Sequence, residues 1–233
     1  MSGVDFSGFD AITFDCYGTL IDWERGILNA LQPVLAPREI DATEDELLER
    51  YARHEAALEA GTYLPYRDVL AQSLRGVCDE LGFSSSEKDA QGFALAVGDW
   101  PAFHDTAPAL RRLHARFRLG VITNCDRDLF ALSNSRLGVT FDWIVTAEDA
   151  RAYKPDHAPF ELAFDTIDVP RERILHAAQS LFHDHIPAKH LGLTTVWVDR
   201  RHDRPGFGAT PGASAAPDLT VPDMKTFADV ALG

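Results

Sequence analysis

The chain has few cysteines, no long apolar run and no surplus of positive charge. Cys16, Cys78 and Cys125 are the only three cysteines in 233 residues. An odd count without metal-ligand spacing excludes a disulfide scaffold or a zinc module and points to free thiols in a reducing cytoplasm. No apolar stretch approaches the ~20 residues a membrane-spanning helix needs. Residues 1–10 hold neither a basic region nor a long apolar core, so no signal peptide is expected. Lys plus Arg number 22 against 36 Asp plus Glu, a net charge of −14. Such an acidic body repels phosphate backbones and argues against nucleic acid as a partner. A small anionic substrate stays open, because a buried pocket sets its own field. The length suits one generous domain, or a core carrying an inserted subdomain, with enough chain to bury a core unaided.

Residues 11–16 (AITFDC) read as a short buried strand running into a Tyr-Gly-Thr turn. Residues 22–98 show no strand pattern. Thr43 and Glu46 form a capping box ahead of a helix through residue 60, and helical patterns cover about 67–81 and 87–97. After Pro101 the texture changes. Asp105 or Thr106 is expected to cap a helix through 116, RLGVITN reads as a strand, and Asp126 is expected to cap a helix ending near 138. FDWIVTA, RILHAAQ and TTVWVDR read as further strands, with helices at 156–167 and 187–191 between them. Residues 200–222 are rich in Gly, Ala and Pro and read as irregular. Alternation of strands and helices predicts an α/β fold, a doubly wound and mostly parallel sheet, with an all-helical insert. The expected core is 1–21 plus 101–233 and the insert is 22–100.

In such sheets ligands sit beyond the carboxyl ends of the strands. Those ends carry residues 15–19, Thr123 and Asn124, 148–154, and 180–184. Asp15 is a carboxylate at the end of a buried strand, costly unless paired or working. Thr19 can donate a hydrogen bond to it, Lys154 can supply a compensating charge, and Asp184 adds a second acid. Two carboxylates and a lysine around one pocket suit nucleophilic catalysis: one acid attacks, the lysine keeps it ionised, the other assists water.

DCYGTL at 15–20, Thr123-Asn124, YKP at 153–155, and Ser180 followed by Asp184 resemble the haloacid dehalogenase-like hydrolase superfamily, in that family's order and over nearly the whole chain. The resemblance implies a Rossmann-like core with a helical cap. Phosphatases of the family carry an acid two residues after the nucleophile, where it protonates a leaving alkoxide. Here Tyr17 stands there, as in the type II L-2-haloacid dehalogenases. A halide leaves without a proton. The implied reaction is attack of Asp15 on the α-carbon of a short 2-haloacid, then hydrolysis of the aspartyl ester with help from Asp184, without cofactor or obligatory metal. By the same resemblance Thr19 and Lys154 orient Asp15, Tyr17 lines the substrate pocket, Thr123 and Asn124 bind the substrate, and a cap arginine, Arg50 or its neighbour Arg53, cradles the halide. A homodimer is left open by the resemblance.

The chain departs from the pattern at Phe160, Gln179 and Leu181, where family dehalogenases usually carry Tyr, Ser and Asn. His183, His185 or Gln179 is then expected to position the hydrolytic water, and a smaller or fluorinated haloacid stays open. Two alternatives stand beside this reading. One is a phosphatase whose Mg²⁺ is held by Asp15, the Tyr17 carbonyl and Asp184. The other is a catalytically idle binding protein of the same fold.

Overall fold

A computed structural model describes residues 3–233. Six parallel strands form one sheet: β1 (Ala11–Phe14), β2 (Arg118–Thr123), β3 (Trp143–Thr146), β4 (Ile174–Ala178), β5 (Thr194–Val198) and β6 (Leu219–Val221), in the order β3-β2-β1-β4-β5-β6. β1 sits centrally, with Phe14 beside Val121 on one side and Ala177 on the other. The strand order reverses at β1, which opens a crevice beyond its carboxyl end. All four residues of β1 are buried, as both-face coverage of a parallel sheet requires.

Between β1 and β2 lie four helices: α1 (Trp23–Leu35), α2 (Glu44–Glu59), α3 (Tyr66–Glu80) and α4 (Glu87–Leu95). The Thr43–Glu46 capping box opens α2 as its sequence predicts, and Ser86 with Asp89 opens α4 by the same device. The core helices follow: α5 (Thr106–His114), α6 (Arg127–Asn134), α7 (Ala147–Ala150), α8 (Ala158–Thr166), α9 (Ile186–His190) and α10 (Met224–Leu232). On one face Phe14, Val121, Leu175 and Val196 pack with Leu110 and Leu113 of α5 and Phe227 of α10. On the other, Ala11, Ile122, Val145 and Ile174 pack with Phe160 and Ala163 of α8 and Ala188 of α9.

Three local expectations are corrected. Residues 200–222 contain β6, a three-residue edge strand too short to show a period of its own. Asp105 does not cap α5. Its carboxylate accepts the Met224 and Lys225 N–H groups at 2.8 and 3.1 Å, at the start of α10, and pairs with the buried Arg200 guanidinium at 2.9 Å. Asp126 does not cap α6 either; it accepts the Tyr66 and Arg67 N–H groups at 2.8 and 3.0 Å and so anchors the start of α3 to the core. In both places an acid placed for local capping serves a distant helix whose free N–H groups are brought to it.

Arg200 is nearly as buried as its partner, so Asp105→Ala strands a charge. We expect it to lower unfolding free energy by about 3–5 kcal/mol, read as a fall in the urea midpoint at unchanged slope.

Candidate active site

Asp15 follows β1 directly. Its N–H donates to the Ala177 carbonyl at 3.2 Å, which carries the carboxylate out at the carboxyl edge between β1 and β4. The chain then turns at Gly18, whose φ of +91° and proximity to Trp23 Nε1 (3.0 Å from an added Cβ) admit only glycine without strain. The turn returns Thr19 to Asp15. Thr19 Oγ1 donates to Asp15 Oδ2 at 2.8 Å and accepts the Gln179 N–H at 2.9 Å. Arg200, just past β5, donates to the Thr19 carbonyl at 3.0 and 3.1 Å and fixes the turn from behind.

Lys154 is buried, and its ammonium has three donors. They go to Asp15 Oδ1 at 2.9 Å, Asp184 Oδ1 at 2.6 Å and the Ile122 carbonyl at 2.9 Å. Asn124 holds the main chain of Lys154 from both sides. Its Oδ1 accepts the Lys154 N–H at 2.8 Å, and its Nδ2 donates to the Lys154 carbonyl at 3.0 Å.

Asp184 stands on a π-helical turn, Leu181–His185, opened by Ser180, whose Oγ accepts the His183 N–H at 2.9 Å. His176 Nε2 of β4 meets Asp184 Oδ1 at 3.0 Å, while His176 Nδ1 meets Thr13 Oγ1 at 2.9 Å. The Phe160 ring packs edge-on against this histidine at 5.1 Å. The position that departs from the family pattern therefore lies beneath Asp184. Asp184 Oδ2 is buried and has no partner, leaving a carboxylate oxygen free to accept a proton.

Burial raises the Asp15 carboxyl above its ordinary range, with Lys154 opposing and the Asp184 charge assisting. Burial acts the same way on Asp184, but Lys154 and His176 outweigh it and hold that group below the usual carboxylate range. The two carboxylates in turn outweigh burial at Lys154 and raise its ammonium. Burial drives His183 and His185 down to about 4, so both rings are neutral near pH 7.

The structure thus brings Asp15, Thr19, Lys154 and Asp184 into one hydrogen-bonded cluster. Asp15, Lys154 and Asp184 border a cavity of about 30 Å³, together with Tyr17 and Asn124. Tyr17 turns its hydroxyl away, to Ser133 Oγ at 3.0 Å, and packs against Trp100. Thr123 is buried beside Asn124 with an unpartnered hydroxyl, and it does not border the cavity. Of the three groups offered for the water, His183 reaches the cavity. His185 donates instead to the Ala178 carbonyl, and Gln179 accepts from Thr210.

Arg50 is not brought into the site. Arg50 and Arg53 both pair with Glu80 of α3 at 2.8 Å, on the outer side of the helical layer. The face of α2 that reaches the cavity carries Glu55 and Glu59 instead. Sequence reasoning passed over both, although they continue the buried stripe Leu47, Leu48, Tyr51, Ala52 at helical spacing. It also passed over His176, whose signal is a single polar ring inside the apolar strand ILHAA.

The family described as haloacid dehalogenase-like hydrolase matches residues 9–177. An (S)-2-haloacid dehalogenase of Pseudomonas putida is 29% identical over 196 residues, 82% of this chain and 85% of that one. Haloacetate dehalogenase H-2 of a Moraxella species is 28% identical over 221 residues, 92% of this chain and 94% of that one. Among solved structures, the L-2-haloacid dehalogenase of Xanthobacter autotrophicus superposes with a TM-score of 0.80 at 19% identity, covering 97% of this chain and 99% of that one. Among the described residues no helix is long and apolar enough to cross a membrane. The family match spans β1 to β4 and includes Asp15, Thr19, Asn124 and Lys154, three of them held in one hydrogen-bonded cluster with Asp184, and on that match the chain belongs to the haloacid dehalogenase-like hydrolases.

Proposed function

We propose that this protein hydrolyses the carbon–halogen bond of short 2-haloacids through an ester on Asp15, without cofactor. The observation that carries the reading is the setting of Asp15: both oxygens are hydrogen-bonded, by Lys154 and Thr19, at the edge of a buried cavity, while Tyr17 occupies the place of a leaving-group acid and points its hydroxyl elsewhere. A carboxylate held this way attacks carbon, and only a leaving group that needs no proton can depart.

In the first step an Asp15 oxygen bonds to the α-carbon as the carbon–halogen bond breaks, and halide leaves with the electron pair. Water then attacks the carbonyl carbon of the ester. Its proton passes to the unpartnered Asp184 Oδ2 and is returned to the ester oxygen as the tetrahedral intermediate collapses, so the 2-hydroxy acid departs with inverted configuration and the second water proton is lost as Asp15 reionises. Lys154 neutralises Asp15 before and after attack, His176 orients Asp184, and His183 positions the water. Tyr17 and Asn124 bound the substrate, and Thr123 offers its free hydroxyl. The proposal assigns no halide contact to Arg50. Residues 22–100 act as a cap over the core formed by 1–21 and 101–233. A cavity of about 30 Å³ holds only about two waters, so a two- or three-carbon acid is admitted when the cap lifts. The three free, buried cysteines support a reducing cytoplasm as its setting.

The test is halide release from chloroacetate, 2-chloropropionate and fluoroacetate in EDTA, beside phosphate release from p-nitrophenyl phosphate with Mg²⁺. Halide release that survives the chelator supports the reading. Phosphate release alone would replace it with the phosphatase, and inactivity on both would favour the idle binding protein.

The shifts at Asp15 also fix a pH dependence. Protonation of Asp15 removes the nucleophile, and its carboxyl lies above the ordinary aspartate range. On lowering pH, kcat/KM for 2-chloropropionate is expected to fall along an acid limb whose midpoint lies above ~3.9, the unperturbed aspartate value. A limb at or below that value would mean that burial does not govern Asp15.

A further inference from the structure

We propose that the preferred substrate is a short haloacid carrying a second, positively charged group, an ammonium held by Glu55 and Glu59 of the cap. This rests on the dehalogenase reading and names its substrate class.

Glu55 and Glu59 lie one turn apart on α2 and both border the cavity; Glu55 is buried and the Glu59 side chain is 6% exposed. Glu55 Oε1 accepts the hydroxyls of Tyr51 at 2.7 Å and Tyr66 at 2.8 Å, so it is held in place. Glu59 has only long contacts: Asn124 Nδ2 at 3.4 Å and His183 Nε2 at 3.6 Å. His183 Nε2 is itself buried with no hydrogen-bond partner. Donor and acceptor thus face each other across a gap too wide to bond directly.

The charge balance gives the ligand's sign. Four carboxyl groups, Asp15, Asp184, Glu55 and Glu59, border the cavity, against one cation, Lys154. All three Lys154 donors are already taken. Arg50 and Arg53 pair with Glu80 outside. A purely anionic acid would meet no free cation here, whereas Glu59, whose contacts are all long, still has room for one. No group of three or more His, Cys, Asp or Glu among the described residues is arranged to hold a metal ion. An ammonium fits better, since its separate N–H donors can reach two carboxylates that share no common centre.

Protonation adds a direction. Burial pushes Glu55 up to about 7, and burial with the Glu55 charge raises Glu59 as well. The groups facing this pair are Tyr51 on α2, Tyr66 on α3, Tyr153 beyond α7, His183 beyond β4, and the cluster of Asp15, Lys154 and Asp184. His183 is already neutral near pH 7, and the tyrosines are pushed further above neutrality, so it is Glu55 that titrates there. An ammonium binds the ionised pair. Its affinity is therefore expected to rise as pH climbs through about 7.

The experiment compares 3-amino-2-chloropropionate with 2-chloropropionate by halide release at pH 8. The amino acid is expected to show kcat/KM about 10-fold or more above the plain acid, as expected for a charge-assisted hydrogen bond. Glu59→Gln and Glu55→Gln are expected to erase that advantage, bringing the ratio of kcat/KM for the amino acid to that for 2-chloropropionate down toward one. Equal kcat/KM for the two acids in the parent enzyme, or equal losses on both in the variants, would overturn the proposal. Calorimetry on the Asp15→Asn protein with 3-aminopropionate and propionate separates this from the underlying reading. A clear preference for 3-aminopropionate supports ammonium recognition even if no halide is ever released, and equal binding overturns it.

Discussion

Asp15→Asn is expected to abolish halide release, by about 10⁴-fold or more, while the protein stays folded. The carboxamide keeps the shape of the carboxylate, so Thr19 and Lys154 retain a partner. Burial and the Asp184 charge both act against the ionised Asp15, so removing that charge relieves a cost rather than creating one. Lys154 stays neutralised by Asp184 at 2.6 Å. Thermal midpoint and far-ultraviolet circular dichroism should therefore hold or improve as turnover vanishes. A variant that lost activity only because it unfolded would show the opposite, and one that kept substantial turnover would remove Asp15 from the chemistry.

Lys154→Met carries the second large effect, on stability and activity together. The side chain is 1% exposed and lies between carboxylates 9% and 1% exposed. Methionine fills the space but leaves two buried acids facing each other, with Thr19 left on one and His176 on the other. Breaking a buried pair in this way costs about 3–5 kcal/mol. The carboxyl groups are expected to take up protons, so residual halide release should need a higher pH than the parent enzyme requires. Chemical denaturation and a pH–rate profile read the two effects separately. If the variant unfolded at the parent's denaturant midpoint with an unmoved acid limb, Lys154 would hold no charge balance.

The parts of the site legible in the sequence are those fixed by a strand end. A short apolar run that stops at an acid, as at Asp15, has one place to go in a parallel sheet. Asn124, Lys154 and Asp184 obey the same rule. The helical layer was legible as helices, because capping boxes and 3.6-residue spacing are local signals. Its rotation was not. The family resemblance placed Arg50 or Arg53 toward the site, whereas Glu80 on α3 draws both of them outward and the apolar stripe carries Glu55 and Glu59 inward. Which face of an inserted helix meets the core depends on contacts between helices, and a single arginine among acids does not encode them. Asp105 and Asp126 illustrate the limit again: each reads as a cap for the helix that follows it, and each is claimed by a helix far along the chain. β6 and α10 were missed because an edge strand of three residues and a terminal helix leave little periodicity to read.

The arrangement also sets two acids of one type apart. Both touch the same lysine, yet Asp15 faces burial with a neighbouring negative charge, while Asp184 gains His176. Environment therefore shifts two chemically identical groups in opposite directions.

The most direct measurement is a single turnover with excess enzyme in ¹⁸O-labelled water, followed by mass analysis of the peptide containing residue 15. Attack of water on an enzyme-bound ester leaves the heavy oxygen in the carboxylate of Asp15, while the first product molecule carries ordinary oxygen from the protein; this is the expected result. Heavy oxygen found in the hydroxy acid and absent from the peptide would mean that water displaces halide directly, and would contradict the account.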